Sequence, residues 1–124
     1  MSKPPKTTTE DIEQRRLAIF LDSTELLWCH VPNGGKRSKG EAGKLKAHGQ
    51  KAGVPDCLIF NAPTNPAYYN SCGLAIELKR KDGKLTRYQK QWLSALQRNG
   101  WTAAVCYGHQ SAVELIQEAY NLRR

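Results

Sequence analysis

Two carboxylates and one lysine of this 124-residue chain lie in or beside apolar segments, where a charge is not favoured. Asp56 directly precedes the apolar run 57–60, and Glu77 and Lys79 lie two positions apart in the aliphatic stretch 73–80. Burying such charges costs several kcal/mol per ion unless each has a partner. Two interpretations are open at this point. The stretch is an internal ion pair or solvated sheet face, or Glu77 holds a metal and Lys79 acts beside it.

The pattern of the two segments predicts neighbouring strands. Side chains alternate along a strand, so Glu77 and Lys79 share the face opposite the aliphatic one. A polar loop joins the run 57–60 to the stretch 73–80, which predicts an antiparallel pair. In that pairing Asp56 comes to lie close to Glu77 and Lys79.

Two carboxylates and an ammonium at one place suit the chemistry of phosphate esters. Two carboxylates in a site of low dielectric repel each other, and one tends to stay protonated. A divalent cation such as Mg²⁺ or Mn²⁺ removes that conflict, because hard cations prefer carboxylate and carbonyl oxygens. Such an ion lowers the pKa of bound water and stabilises charge on a phosphate. Lys79 could then orient the attacking water or stabilise the phosphate.

The elements that must position these residues alternate along the chain. Helices are expected over 10–22, 41–51, 87–99 and 111–122, and strands over 25–31, 57–60, 73–80 and 101–107. This order predicts an α/β fold, with one mixed central sheet flanked by helices on both faces. We expect a single domain over 8–124, preceded by a disordered tail over 1–7.

Two helices carry further polar candidates. The first helix aligns Glu10 and Glu13 with its core-facing side, although a surface glutamate favoured by the helix dipole is the simpler interpretation. Gln89 lies early in the third helix, one turn before Leu93, and can face the sheet or its edge.

The charge of the chain points to a polyanionic partner. Lys and Arg number 19 against 11 Asp and Glu, giving a formal net charge of +8. Nucleic acid is the first candidate partner for so basic a small domain. The best candidates for phosphate contacts, taken as a group, lie in and after a turn-rich loop: Lys36, Arg37, Lys39, Lys44, Lys46 and Lys51. For the loop, phosphate contact and a solvated surface are balanced interpretations, and each residue taken singly is better interpreted as a solvated charge.

Nothing in the sequence predicts a membrane span or a secreted protein. No apolar run approaches the roughly 20 residues of a transmembrane helix, and the N-terminus lacks the apolar core of a signal peptide. The four cysteines form no C-x-x-C pair, and each is interpreted as a small buried hydrophobe in a reducing compartment: Cys29, Cys57, Cys72 and Cys106. An intracellular protein is expected.

Several stretches together resemble the VRR-NUC family of virus-type replication and repair nucleases, within the PD-(D/E)XK nuclease superfamily. The resemblance rests on Gly53-Val54-Pro55-Asp56, on Ile76-Glu77-Leu78-Lys79 and on Leu85 to Gln89. His30-Val31-Pro32-Asn33-Gly34 is similar to the loop after the family's first strand. The resemblance spans roughly residues 10 to 120 and implies a restriction-endonuclease-like core.

The resemblance also implies residue roles. Asp56 and Glu77 would bind Mg²⁺ or Mn²⁺, with the backbone carbonyl of Leu78 as a further ligand. Lys79 would be the catalytic lysine, and Gln89 would support the site. A helix-1 carboxylate would complete the metal ligands: Glu10 suits the family's usual spacing and Glu13 is the second choice.

A free-standing chain of this length resembles the phage and bacterial members of the family. They are similar to homodimeric enzymes that cleave branched DNA such as four-way junctions, in the cytoplasm of a bacterial or phage-infected host cell. Two alternatives remain: a non-catalytic nucleic-acid-binding module of the same fold, and a sequence-specific restriction-type endonuclease.

Overall fold

The fold is taken from a computed structural model that describes residues 9–32 and 38–122. Four helices are present: α1 (Thr9–Asp22), α2 (Lys39–Ala47), α3 (Arg87–Arg98) and α4 (His109–Ala119). Four strands are present: β1 (Trp28–His30), β2 (Cys57–Ile59), β3 (Leu74–Lys79) and β4 (Thr102–Tyr107). A short 3-10 helix at Pro66–Tyr68 lies in the loop between β2 and β3. The disordered tail predicted over 1–7 lies outside the described residues.

The strands form one mixed sheet in the order β1-β2-β3-β4. β1 pairs with β2 and β2 with β3 in antiparallel fashion, whereas β3 and β4 run parallel. The crossover from β3 to β4 is made by α3, as a parallel pair requires. The predicted fold class and the predicted antiparallel pairing of β2 with β3 are confirmed.

Helices cover both faces of β3. Leu17 and Leu21 of α1 and Ile116 of α4 join Leu74 and Ile76 of β3 in the main buried cluster. The third helix also packs against β3 and β4. Its buried residue Leu93 lies apart from that cluster, so α3 covers the opposite face, the one that carries Glu77.

Because helices cover both faces of β3, the face that carries Glu77 is not solvated. Every residue from Leu74 to Leu78 is buried, and Glu77 is only 3 % exposed. The interpretation of a solvated sheet face is therefore wrong. Glu77 is the one buried charged side chain among residues 9–32 and 38–122.

The α2 helix begins and ends earlier than its sequence pattern predicts. Ser38 caps it by accepting a hydrogen bond from the N–H of Glu41 at 3.1 Å. The chain then leaves the helix at Gly49, whose φ of +100° is a left-handed conformation that glycine adopts without strain. None of the residues of α2 is buried.

Two of the four cysteines contradict the prediction that all are buried. Cys57 and Cys106 are buried, whereas Cys29 and Cys72 are exposed. Cys29 lies on the edge strand β1, and Cys72 lies in the loop before β3. In the part of the chain that the structure describes, no helix is long and apolar enough to cross a membrane.

Candidate active site

The strand register brings Asp56 and Glu77 together. The last register pair of β2 and β3 is Cys57 with Ile76. One position further, Asp56 lies opposite Glu77, just before the first residue of β2. Oδ2 of Asp56 accepts a hydrogen bond from the backbone N–H of Leu78 at 2.9 Å. This contact fixes the Asp56 carboxylate against the end of β3.

The surroundings of Glu77 favour its protonated form. Burial is the largest cause that raises the pKa of Glu77 well above its usual range, and a hydrogen bond with Asp56 and its charge act in the same direction. Lys79 acts in the opposite direction and Glu10 adds to the increase. At neutral pH and without a cation, Glu77 therefore keeps its proton.

The donor set fits a hard divalent cation. Across residues 9–32 and 38–122, no three His, Cys, Asp or Glu side chains form a complete metal-binding group. Mg²⁺, however, is usually held by one or two carboxylates and keeps several waters or substrate oxygens. N–H and C=O of one strand residue point to the same side, so the Leu78 carbonyl also faces Asp56.

Lys79 lines an open cleft of about 380 Å³ at the end of β3. Its other lining residues come from the start of α1 and from the turn after β3: Thr9, Glu10, Arg80, Gly83 and Lys84. Three cationic side chains and one carboxylate make the cleft positive overall. A cleft of this charge attracts a phosphate to the side of the carboxyl pair.

The two glutamates of α1 have different surroundings. Glu10 lines the cleft with Lys79. Glu13 instead accepts a hydrogen bond from the backbone N–H of His109 at 2.7 Å and contacts Nδ1 of the same residue. His109 is the first residue of α4, and Gly108 before it supplies no side-chain cap. Glu13 therefore caps α4 from another helix, a contact between residues 96 positions apart that no local sequence signal reveals.

The Glu13 cap makes a testable contribution to stability. The backbone hydrogen bond from His109 is the largest cause that lowers the pKa of Glu13 below 4.5. A carboxyl whose pKa is lowered by folding stabilises the fold above its unfolded-state pKa, and the contribution disappears as pH falls through the folded-state value. Glu13→Gln should therefore reduce the free energy of unfolding by about 1 kcal/mol at pH 7, with little effect near pH 2.

Urea unfolding at the two pH values measures this difference. Glu114→Gln, a change of the same type at an exposed position on α4, is the matched control and should stay within about 0.5 kcal/mol of the wild type. An equal loss for Glu13→Gln at both pH values would contradict the charged cap.

Gln89 lies close to the site in the chain but its side chain has another partner. Its Oε1 accepts a hydrogen bond from the backbone N–H of Thr86 at 2.8 Å, and the Thr86 hydroxyl accepts one from the N–H of Gln89 at 3.1 Å. This capping box begins α3. A Cβ at Gly53 would lie 2.4 Å from the carbonyl carbon of Tyr88, so α3 begins directly against the loop that leads to Asp56. A role of Gln89 at the metal stays a prediction.

The candidate DNA contacts are only partly described. Lys36 and Arg37 lie outside the described residues. Lys39, Lys44 and Lys46 are exposed on α2. Lys39 and Lys46 are seven positions apart and so lie on one side of the helix.

Sequence reasoning missed one contact at the site. From the sequence, His30, at the end of β1, was assigned only to the stretch that is similar to the loop after the family's first strand. In the structure its Nδ1 lies 2.9 Å from the backbone carbonyl oxygen of Asp56. The only feature of the sequence that could have indicated this contact was the position of His30 at the end of a predicted strand.

Comparison with known proteins was made by sequence and by structure. The model of the family described as VRR-NUC domain matches residues 8–110. A solved structure described as "VRR_NUC domain protein" is similar over 95% of this chain and 93% of its own, with 28% sequence identity and a TM-score of 0.76. No curated protein matches the chain in sequence at a significant level.

Proposed function

The chain belongs to the VRR-NUC family, whose domain is of the nuclease type, and on that premise we propose that it is a metal-dependent DNA endonuclease. The observation that carries the proposal is the pairing of the buried Glu77 with the partly buried Asp56, beside the positive cleft of Lys79. Two carboxyl groups placed together for stability alone would be unfavourable, because two carboxylates repel and one of them must stay protonated. Binding of a cation in exchange for the proton of Glu77 gives this arrangement a function.

Asp56, Glu77 and the carbonyl of Leu78 are the proposed ligands of Mg²⁺ or Mn²⁺. When bound, such an ion activates water and neutralises charge on the phosphate. Glu10 is the preferred helix-1 carboxylate, because it lines the cleft with Lys79. Glu13 is the weaker candidate, because its carboxylate holds the backbone of His109.

Lys79 has two tasks in this proposal. Its ammonium holds the scissile phosphate in the cleft, and it donates hydrogen bonds to the oxygens on which charge develops during hydrolysis. The peptide of Lys79 is held in place for this purpose, since its carbonyl accepts a hydrogen bond from the N–H of Gly108 at 2.9 Å. Gln89 contributes indirectly, by fixing the first turn of α3 against the loop before Asp56.

The α2 helix is the proposed phosphate-binding surface, together with Lys36 and Arg37.

Replacing Lys39 and Lys46 with glutamine should weaken DNA binding at every sequence to a similar degree. The slope of log affinity against log salt should fall by up to about two, because each lost phosphate contact removes roughly one unit. Fluorescence anisotropy at several salt concentrations measures this slope. Arg15→Gln/Lys90→Gln, which removes the same charge from exposed positions on α1 and α3, is the control.

We further propose branched DNA, such as a four-way junction, as the substrate and a homodimer as the active form. Two sites related by a two-fold axis could cut two strands of a symmetric junction. The family resemblance supports this part of the proposal, and the net charge of +8 supports DNA as the partner.

A cleavage panel tests the proposed function. Linear duplex, flap, fork and four-way junction are each incubated with Mg²⁺, with Mn²⁺ or with a chelator, and the mass of the protein in solution is measured in parallel. We expect cation-dependent cleavage with the junction cut fastest, and a dimeric mass. Tight DNA binding without cleavage of any substrate would instead indicate a non-catalytic binding module.

A further inference from the structure

The backbone carbonyl of Asp56 is held by two donors from the end of β1. The N–H of Val31 donates to this oxygen at 2.8 Å. Nδ1 of His30 lies 2.9 Å from the same oxygen. Asp56 comes just before β2, whose register with β1 ends at the pair His30 with Cys57. These two contacts therefore continue the pairing of β1 and β2 by one residue, so that the sheet also holds the backbone of Asp56.

The chemistry of the acceptor fixes the state of the His30 ring. A carbonyl oxygen can only accept a hydrogen bond, so Nδ1 must carry the proton. In the neutral ring, Nε2 then has a free lone pair. The ring is on the exposed side of an edge strand, so packing alone does not require a histidine there.

We infer that His30 is a positioning residue for Asp56. Its Nδ1–H clamps the Asp56 peptide from the β1 side, while the N–H of Leu78 holds the Asp56 carboxylate from the β3 side at 2.9 Å. The two clamps together set the direction in which the carboxylate presents its oxygens. This inference rests on the proposed function, because it assigns His30 to the metal site proposed above.

Three variants separate the clamp from a general structural role. His30→Leu removes the donor at similar size. His30→Asn keeps an N–H donor at the position of Nδ1 and should restore the hydrogen bond. His48→Leu makes the same change at an exposed histidine after α2 and is the control.

The first measurement needs neither metal nor DNA. Long-range ¹H–¹⁵N spectra of the imidazole rings are recorded at a pH where they are neutral, and His30 is assigned by its loss in His30→Asn. We expect the Nδ1–H tautomer at His30. The Nε2–H tautomer, which a histidine side chain favours in water, would overturn the inference.

The second measurement is the affinity for Mn²⁺ in the absence of DNA, by calorimetry. His30→Leu should bind about tenfold more weakly, the lower end of the usual effect for groups that orient a metal ligand. His30→Asn should recover most of the affinity, and His48→Leu should match the wild type. Unchanged affinity in His30→Leu, or no recovery in His30→Asn, would overturn the positioning role.

Cleavage assays distinguish a failure of this inference from a failure of the proposed function. A wild type that binds Mn²⁺ and cuts DNA, with a His30→Leu variant of equal Mn²⁺ affinity, would overturn only the role of His30. A wild type that neither binds Mn²⁺ nor cuts DNA would overturn both. In the supporting case, His30→Leu needs about tenfold more Mn²⁺ for half-maximal cleavage and regains most of its rate at saturating Mn²⁺.

Discussion

Replacing Lys79 with alanine should lower the rate of DNA cleavage by about 10²–10³-fold, the usual effect of removing one group that stabilises developing charge. Lys79 lines the cleft together with Glu10, and it lies on the same face of β3 as Glu77. DNA binding should fall much less than the rate, because many cationic groups contribute to binding and only one stands at the reacting phosphate. Single-turnover cleavage of a four-way junction at saturating enzyme measures the rate separately from the affinity.

Lys90→Ala is the matched control for Lys79→Ala. Lys90 is an exposed lysine on α3 and does not line the cleft. The control should cut DNA at the wild-type rate, and both variants should show the circular dichroism and unfolding midpoint of a folded domain. A folded Lys79→Ala protein that cuts as fast as the control would refute the assignment of Lys79.

Replacing Glu77 with glutamine should stabilise the metal-free protein and remove its response to metal. The pKa of Glu77 is raised by folding, so the folded state holds a proton that the unfolded state loses above the ordinary carboxyl range. The wild type therefore loses stability as pH rises above that range, and the variant has no such carboxyl. In chelator at pH 8, Glu77→Gln should be more stable by at least about 1 kcal/mol, and the difference should vanish near pH 4.

Added Mn²⁺ should stabilise the wild type but not Glu77→Gln. At 100 times its dissociation constant, a ligand that binds only the folded state contributes about 2.7 kcal/mol. The wild type gains this stability and Glu77→Gln does not. Urea unfolding in chelator and in Mn²⁺ measures both effects, with Glu114→Gln as a control that responds as the wild type does. A less stable Glu77→Gln in chelator would contradict a buried, protonated Glu77.

The sequence pattern predicted the elements around the site because their signals are local. The alternation in β3 and the capping residue Thr86 before α3 depend on near neighbours in the chain. The pairing of β2 with β3 was inferred from the polar loop that joins them, and it was enough to place Asp56 beside Glu77.

The remaining features depend on contacts between distant parts of the chain. The element order predicted helices on both faces of the sheet, but the burial of Glu77 depends on how α3 packs over the face that carries it, and the alternating pattern of β3 does not show this. The choice between Glu10 and Glu13 depends on α4, whose first residue His109 holds Glu13. Likewise, α4 begins at His109 rather than at the predicted residue 111, because its cap comes from α1.

The most direct test of the account is a calorimetric titration of the wild type with Mn²⁺ near neutral pH, in buffers of different ionisation enthalpy. Because Glu77 holds a proton that a cation must displace, binding of one ion should release about one proton. Glu77→Gln should bind far more weakly and release none. Absence of Mn²⁺ binding by the wild type, or binding without proton release, would contradict the proposal that Asp56 and Glu77 form the metal site of a nuclease.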